Sequence, residues 1–208
     1  MTAREEILRR VRAAHVVAPE HEIRREYSHV REHADHLGQF VQRVEDYKAN
    51  VIRTHPDDVA AAVAKCLVGA GKVVVPPGFE PSWVPAGLSI VGDEPALGAD
   101  ELNAVDAVLT CAKVGIAETG TIVLDHTAGM GRRTLTLVPD LHVCVVTADQ
   151  VVGDVPEAVA RLSASVKSGL PLTWISGGSA TVDIELQRVE GVHGPRALCV
   201  VLVEPATL

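Results

Sequence analysis

The spacing of apolar positions divides the chain into two regimes. From Thr2, "TAREEILRRVRAA" sets Ile7, Leu8 and Val11 on one face, with Thr2 and Glu5 at capping-box spacing, which predicts a short amphipathic helix. After Pro19, "HVREHADHLGQFVQRVEDYKANVIRT" repeats apolar residues at Val30, Ala34, Leu37, Val41 and Val44. That period of three and four predicts a second helix, long and highly charged on its outer face. An amphipathic helix needs a surface to cover, so residues 1–54 are expected to form a helical appendage packed on the body or on another subunit.

From residue 55 the pattern becomes an alternation of helix and strand. Asp57 and Asp58 open an Ala-rich helix, Gly69 and Gly71 stop it, and "KVVV" reads as a buried strand. Strands follow at "LSIV" (88–91) and "TIVL" (121–124), while the stretch before the latter, "NAVDAVLTCAKVGIAE", is compatible with a strand or a helix. Apolar runs come next at "TLTLV" and "LHVCVVTA", then a helix in "VPEAVARLSASVKSG", the strand "LTWIS", a helix from near Thr181 and the strand "ALCVVLVE". Residues 55–208 thus read as one α/β domain.

Composition sharpens this. Hydrophobic residues are 47% of the 208 and aromatics only 3%, so Val, Ala, Leu and Ile must build the core, as in a largely parallel sheet with helices on both faces. A formal net charge of -8 argues against nucleic acid and anionic lipid as partners. No apolar run reaches the length of a membrane span and the charged start is unlike a signal sequence, so a cytoplasmic location is expected. Cys66, Cys111, Cys144 and Cys199 lie far apart in apolar stretches and read as small core residues, with no Cys-x-x-Cys pair to suggest a cluster or zinc site.

Four stretches carry candidate chemistry. In "SGGSATVDIE", a strand ends at Ser176, Gly177 and Gly178 free the backbone, and Ser179 and Thr181 precede helix-forming residues, with Asp183 in the first turn. That arrangement either holds an anionic ligand at a helix N-terminus or simply caps the helix. "GIAETGTIVL" puts Glu118, Thr119 and Gly120 before a strand, with Glu118 as a base, a nucleophile or the acceptor of a ligand hydroxyl; a bare turn fits equally. "GMGRR" offers Arg132 and Arg133 for a carboxylate or phosphate, and "GVHGP" sets His193 in a loop where it can titrate or donate to an anion. His29, His33 and His36 share a helical face, but nothing else there implies a metal, and none is expected.

Taken in order, "GIAETGTIVL", "RTLTLVPDLHVCVV", "SGGSATVDIE" and "GVHGP" before a terminal strand resemble the lactate-utilisation protein C family (LutC/YkgG, the LUD domain), over about residues 55–206. The resemblance implies a fold like that of glucosamine-phosphate deaminase, ribose-phosphate isomerase and CoA transferases (NagB/RpiA/CoA transferase-like). It also implies a place in a cytoplasmic system that oxidises L-lactate to pyruvate, whose iron–sulfur clusters belong to partner proteins. This chain itself would carry no cofactor. The family commonly has an arginine and an alanine where this chain has Ala180 and Val182, so one potential anion-binding side chain is lost.

Three functions are weighed: a non-cluster component of lactate oxidation binding a small anionic or hydroxy-acid ligand; a stand-alone sugar-phosphate isomerase or CoA transferase acting through Glu118; and an interaction module docking a partner or a second copy through its N-terminal helices. For the first two, the expectation is that Glu118–Gly120, Ser179–Asp183 and His193 converge in one cleft at the carboxyl edge of the sheet.

Overall fold

The computed structural model describes residues 2–14, 35–182 and 188–205. Along the chain run α1 (Ala3–Ala13), α2 (His36–Asp46), β1 (Asn50–Thr54), α3 (Val59–Cys66), β2 (Lys72–Val74), β3 (Ser89–Val91) and α4 (Ala99–Asn103). Then follow β4 (Ala107–Cys111), β5 (Val114–Ile116), β6 (Thr121–Leu124), β7 (Leu141–Thr147), β8 (Val151–Val152) and α5 (Val155–Lys167). The last stretch holds β9 (Thr173–Ile175), β10 (Ala180–Val182), β11 (Arg188–Glu190) and β12 (Ala197–Val203).

Six strands in the order β1-β12-β7-β4-β2-β3, all parallel, make the central sheet. Helices flank it, so the protein is the mixed α/β structure that the Val- and Ala-rich composition predicts. Strands β7 and β12 are covered on both faces, which is why they read as unbroken apolar runs without alternation. One face, with Cys144, Val146, Leu198, Val200 and Leu202, packs against Phe40 and Val44 of α2 and against Ile122 and Leu124 of β6. The other, with Val143, Val145, Cys199 and Val201, packs against Val59, Ala62 and Val63 of α3. A second, mixed sheet of order β8-β5-β6-β9 is backed by Ala158 and Leu162 of α5. The pair β10–β11 stands apart as an antiparallel hairpin.

The N-terminal expectation needs correction. The second helix stops at Asp46; Lys48 turns the chain with a left-handed φ of 62°, and residues 50–54 are a strand. β1 lies in register with β12, Val51 against Val200, and its side chains reach both layers: Val51 joins one core cluster and Ile52 the other. With Phe40 and Val44 buried, α2 and β1 are parts of the body rather than of an appendage. In α1 the capping box forms, Thr2 N donating to Glu5 Oε2 at 2.7 Å, and no side chain is buried. His29, His33, Val30 and Ala34 lie outside the described residues.

Two further differences concern the later elements. "TLTLV" is no strand: Arg133–Thr136 form a 3-10 turn inside a segment that crosses from Gly129, bonded to Pro77 and Cys111 at the carboxyl ends of β2 and β4, to the amino end of β7. Cys66 and Cys199 are joined in a disulfide, because α3 packs on β12 and brings their Cα atoms to 6.1 Å; Cys111 and Cys144 stay free within the core.

Candidate functional site

The segment "SGGSAT" does not open a helix. Ala180–Val182 pair with Arg188–Glu190, so Thr181 sits opposite Val189 in an exposed ribbon, and Asp183 lies outside the described residues. An isolated hairpin of this length is marginal. It is held instead by the loop that returns to β12: Ser179 N donates to the Pro195 carbonyl at 2.7 Å, Gly191 N to the Ser179 carbonyl at 2.8 Å, and His193 N to Ser179 Oγ at 3.0 Å. Gly178 makes the approach feasible, since a Cβ there would stand 2.5 Å from the Arg196 carbonyl oxygen. Ser179→Ala removes one of these bonds and should cost about 0.5–1.5 kcal/mol in a urea melt. An unchanged midpoint would mean the hydroxyl holds nothing.

The loop, the hairpin base and the amino ends of β7 and β12 enclose a cavity of about 260 Å³. Gly177, Gly178, Ser179 and His193 line it together, while Glu118, Thr119, Gly120 and Thr181 do not. Its place corrects the expectation, however. His142 and Leu198, also in the lining, are the second residues of β7 and β12 and pair in register, so the cavity is at the amino edge of the sheet, not the carboxyl edge. The hairpin loop re-enters before β12 and carries His193 to that side.

The remaining lining includes Arg133, Thr136, Trp174 and Ser176. No carboxylate is among these residues. Arg133 Nη1 donates to Thr136 Oγ1 at 3.1 Å and makes no ion pair with a described residue, so its charge faces an exposed rim. His142 is buried to 2% exposure, and its Nε2 lies 2.7 Å from Thr110 Oγ1. Burial pushes its imidazole down to about 4, so the ring is neutral at pH 7. The result is a pocket with a guanidinium that has no ion pair among the described residues, a loop histidine, hydroxyls and a neutral imidazole, which suits a small carboxylate.

Glu118, Thr119 and Gly120 form the turn of the β5–β6 hairpin and are not in this lining. Gly120 has φ 59°, and a Cβ there would meet the Arg43 backbone at 2.5 Å, so the turn is shaped by packing on α2. The turn reaches the cavity only through hydroxyls: Thr119 Oγ1 is 2.7 Å from Thr121 Oγ1, which is 2.7 Å from Ser176 Oγ.

Arg132, the first of the adjacent arginines, is not in the cavity either. Its Nε and Nη2 clasp Asp93 at 2.7 and 2.9 Å, and its Nη1 donates to Thr134. Burial raises the Asp93 carboxyl, but the Arg132 and Leu97 hydrogen bonds outweigh it and hold the group below its ordinary range. This pair borders a second cavity of about 470 Å³ at the carboxyl edge, to which Arg133 also belongs. The loop after β6 lines this second cavity through His126, Thr127 and Ala128. Asp125, fully buried, accepts from Thr127 Oγ1 at 2.6 Å and Ser165 Oγ at 2.7 Å. His126, held at φ 59°, bridges the Gly131 carbonyl at 2.7 Å and Thr173 Oγ1 at 2.8 Å. That ring ties the arginine loop to β9, which leads into Ser176.

Sequence reasoning passed over His142 and gave Arg133 no separate weight. A histidine inside the apolar run "LHVCVV" was the available signal, because a buried imidazole needs a partner.

The chain belongs to the LUD domain family, whose model matches residues 98–203. It is 52% identical over 170 residues, 82% of this chain and 80% of the relative, to lactate utilization protein C of Deinococcus radiodurans. To lactate utilization protein C of Halalkalibacterium halodurans it is 33% identical over 109 residues, 50% of this chain and 47% of the relative. The crystal structure of a DUF162 family protein from Deinococcus radiodurans superposes with a TM-score of 0.74 at 45% identity, covering 85% of this chain and 99% of that one.

Proposed function

We propose that this protein is a component of an L-lactate utilisation system, which oxidises lactate to pyruvate, and that it acts with iron–sulfur partner proteins while holding a small anionic ligand at Arg133. The observation that carries the reading is the 52% identity, over four-fifths of both chains, to a relative named for lactate utilisation. The cavity supports the ligand: a guanidinium with no carboxylate partner among the described residues, beside His193, attracts a carboxylate and can hold it with two parallel bonds. Thr136 and Ser176 add hydroxyls, and the neutral His142 adds a polar floor without a second charge.

Iron–sulfur clusters belong to the partners in this reading, since Cys66 and Cys199 are spent on each other and Cys111 and Cys144 face the core. Deletion of the gene is expected to stop growth on L-lactate and spare growth on pyruvate. Wild-type protein restores growth, whereas Arg133→Gln restores it poorly, its affinity for small carboxylates falling about tenfold or more with the loss of a charged hydrogen-bond pair. Undiminished growth of the deletion strain on L-lactate, with no paralogue present, overturns the proposal.

A further inference from the structure

Arg132 and Arg133 are adjacent, and their guanidinium groups have different uses. Arg132 commits four hydrogen bonds to the protein. Its Nε and Nη2 donate to the two oxygens of Asp93 at 2.7 and 2.9 Å, Nη2 donates also to the Leu97 carbonyl at 2.5 Å, and Nη1 donates to Thr134 Oγ1 at 2.9 Å. Asp93 is nearly enclosed, its side chain 7% exposed, and its Oδ1 accepts from Leu97 N at 3.0 Å as well. This clasp joins the loop after β3 to the start of the 3-10 turn Arg133–Thr136, with the fixed planar geometry of a two-pronged ion pair. At its far end the turn is anchored by Leu135, buried among Val74, Leu102 and Val108, and by the buried Thr136. Arg133 lies between the two anchors. Its Nη1 donates to Thr136 Oγ1 at 3.1 Å, and Thr136 Oγ1 donates to the Arg133 carbonyl at 3.1 Å. The guanidinium is thus folded back on its own turn, beside a hydroxyl that lines the amino-edge cavity, and the placement of the turn sets where it stands.

We propose that Asp93 and Arg132 are positioning residues for the ligand: their clasp sets the turn that presents Arg133 to the amino-edge cavity, and neither side chain touches the carboxylate. The inference rests on the reading that Arg133 holds the ligand's carboxylate, and it adds what holds Arg133. Asp93 and Arg132 line the carboxyl-edge cavity and do not line the amino-edge one, so they act on the ligand through the turn. Two parallel bonds to a carboxylate require the guanidinium plane in a narrow range of orientations, and any freedom of the turn has to be given up on binding. The clasp removes that freedom beforehand. One substitution separates positioning from plain electrostatics by its sign. Removing the negative charge of Asp93 favours a nearby anion by Coulomb's law, so charge alone makes Asp93→Asn bind a carboxylate more tightly. Positioning requires the opposite, because Asn offers Arg132 one acceptor oxygen and an NH2 group in place of two acceptor oxygens.

Calorimetric titration of the intact protein with pyruvate and with L-lactate tests this, on variants whose cooperative urea melts show them folded at the temperature of the titration. Asp93→Asn and Arg132→Lys are each expected to weaken carboxylate binding about fivefold or more. Arg132→Lys keeps the charge and loses the fork, so it carries the test if Asp93→Asn does not fold. In the Arg133→Gln background Asp93→Asn is expected to add no further loss, since the clasp acts only through that guanidinium. Unchanged or tighter binding in either folded single variant, or a full further loss in the double variant, overturns the inference and leaves the carboxylate site standing. If neither pyruvate nor L-lactate binds the wild-type protein, or if Arg133→Gln binds them as well as wild type does, the ligand reading above falls and this inference with it.

Discussion

Phe40→Ala is expected to lower the unfolding free energy by about 3–5 kcal/mol, the range for removing a fully buried aromatic ring. Phe40 has no exposed surface and is one of only two phenylalanines in the chain. It stands on α2 at the junction of the layers, in the cluster that joins Val44 to Val146, Val200 and Leu202 of the central sheet and to Ile122 of the second sheet. Its ring edge lies against Gly115 of β5, where a Cβ would stand 3.2 Å away, so the site is filled and cannot close over a void without moving a strand. Leu37 and Val41 only fringe the same cluster and should cost less when truncated. Urea melts of the three alanine variants measure the ranking. If Phe40→Ala costs no more than Val41→Ala, then α2 is a dispensable cover and not part of the core.

Acid should weaken the protein well before its carboxylates titrate, because of His142. The unfolded histidine takes up a proton near pH 6.5, whereas the folded one, desolvated, holds off until about 4. Between those values the unfolded chain binds more protons, so stability rises with pH and falls as pH drops. From pH 7 to pH 5 the loss from this one ring is about 2 kcal/mol, on a total of about 3 kcal/mol by pH 4. Asp93 and Asp125 behave differently. Their folded carboxyls are held below the ordinary range, so the stability they confer persists above the unfolded value and is lost only as pH falls further. Denaturant midpoints at pH 7 and pH 5 for wild type and His142→Gln separate the two windows. Equal losses in both proteins would show that some other group drives the response.

The central sheet was legible in the chain because strands covered on both faces need no alternation. "KVVV", "LHVCVV" and "ALCVVLV" announce themselves as apolar runs. β1 was not, since Val51 and Ile52 continue the spacing of α2 closely enough to look like one more helical turn. The hairpin failed for a different reason. Ser179, Thr181 and Asp183 have the side chains of a helix start, and the same hydroxyls serve equally to pin a loop; which use prevails depends on Pro195 and His193, more than ten residues away. The period-two pattern of "RVE" was too short to outweigh it. Of the candidate site, the glycines, Ser179 and His193 were found from composition of the loops. Arg132 and Arg133 are indistinguishable in sequence, and only the position of Asp93 decides which one is consumed by an ion pair.

Strand order has a consequence for how the protein must be made. β12 leaves the ribosome after every other strand of the central sheet, yet it is inserted between β1 and β7. Until then β1 and β7, the two strands that flank β12, each present an unpaired amide edge, and much of the apolar surface later covered is open. The central sheet therefore cannot be completed progressively from the N-terminus. Messages cut short before codon 197 would yield sticky, degradable fragments rather than a smaller working domain. Quality control of this protein is therefore decided at the end of translation.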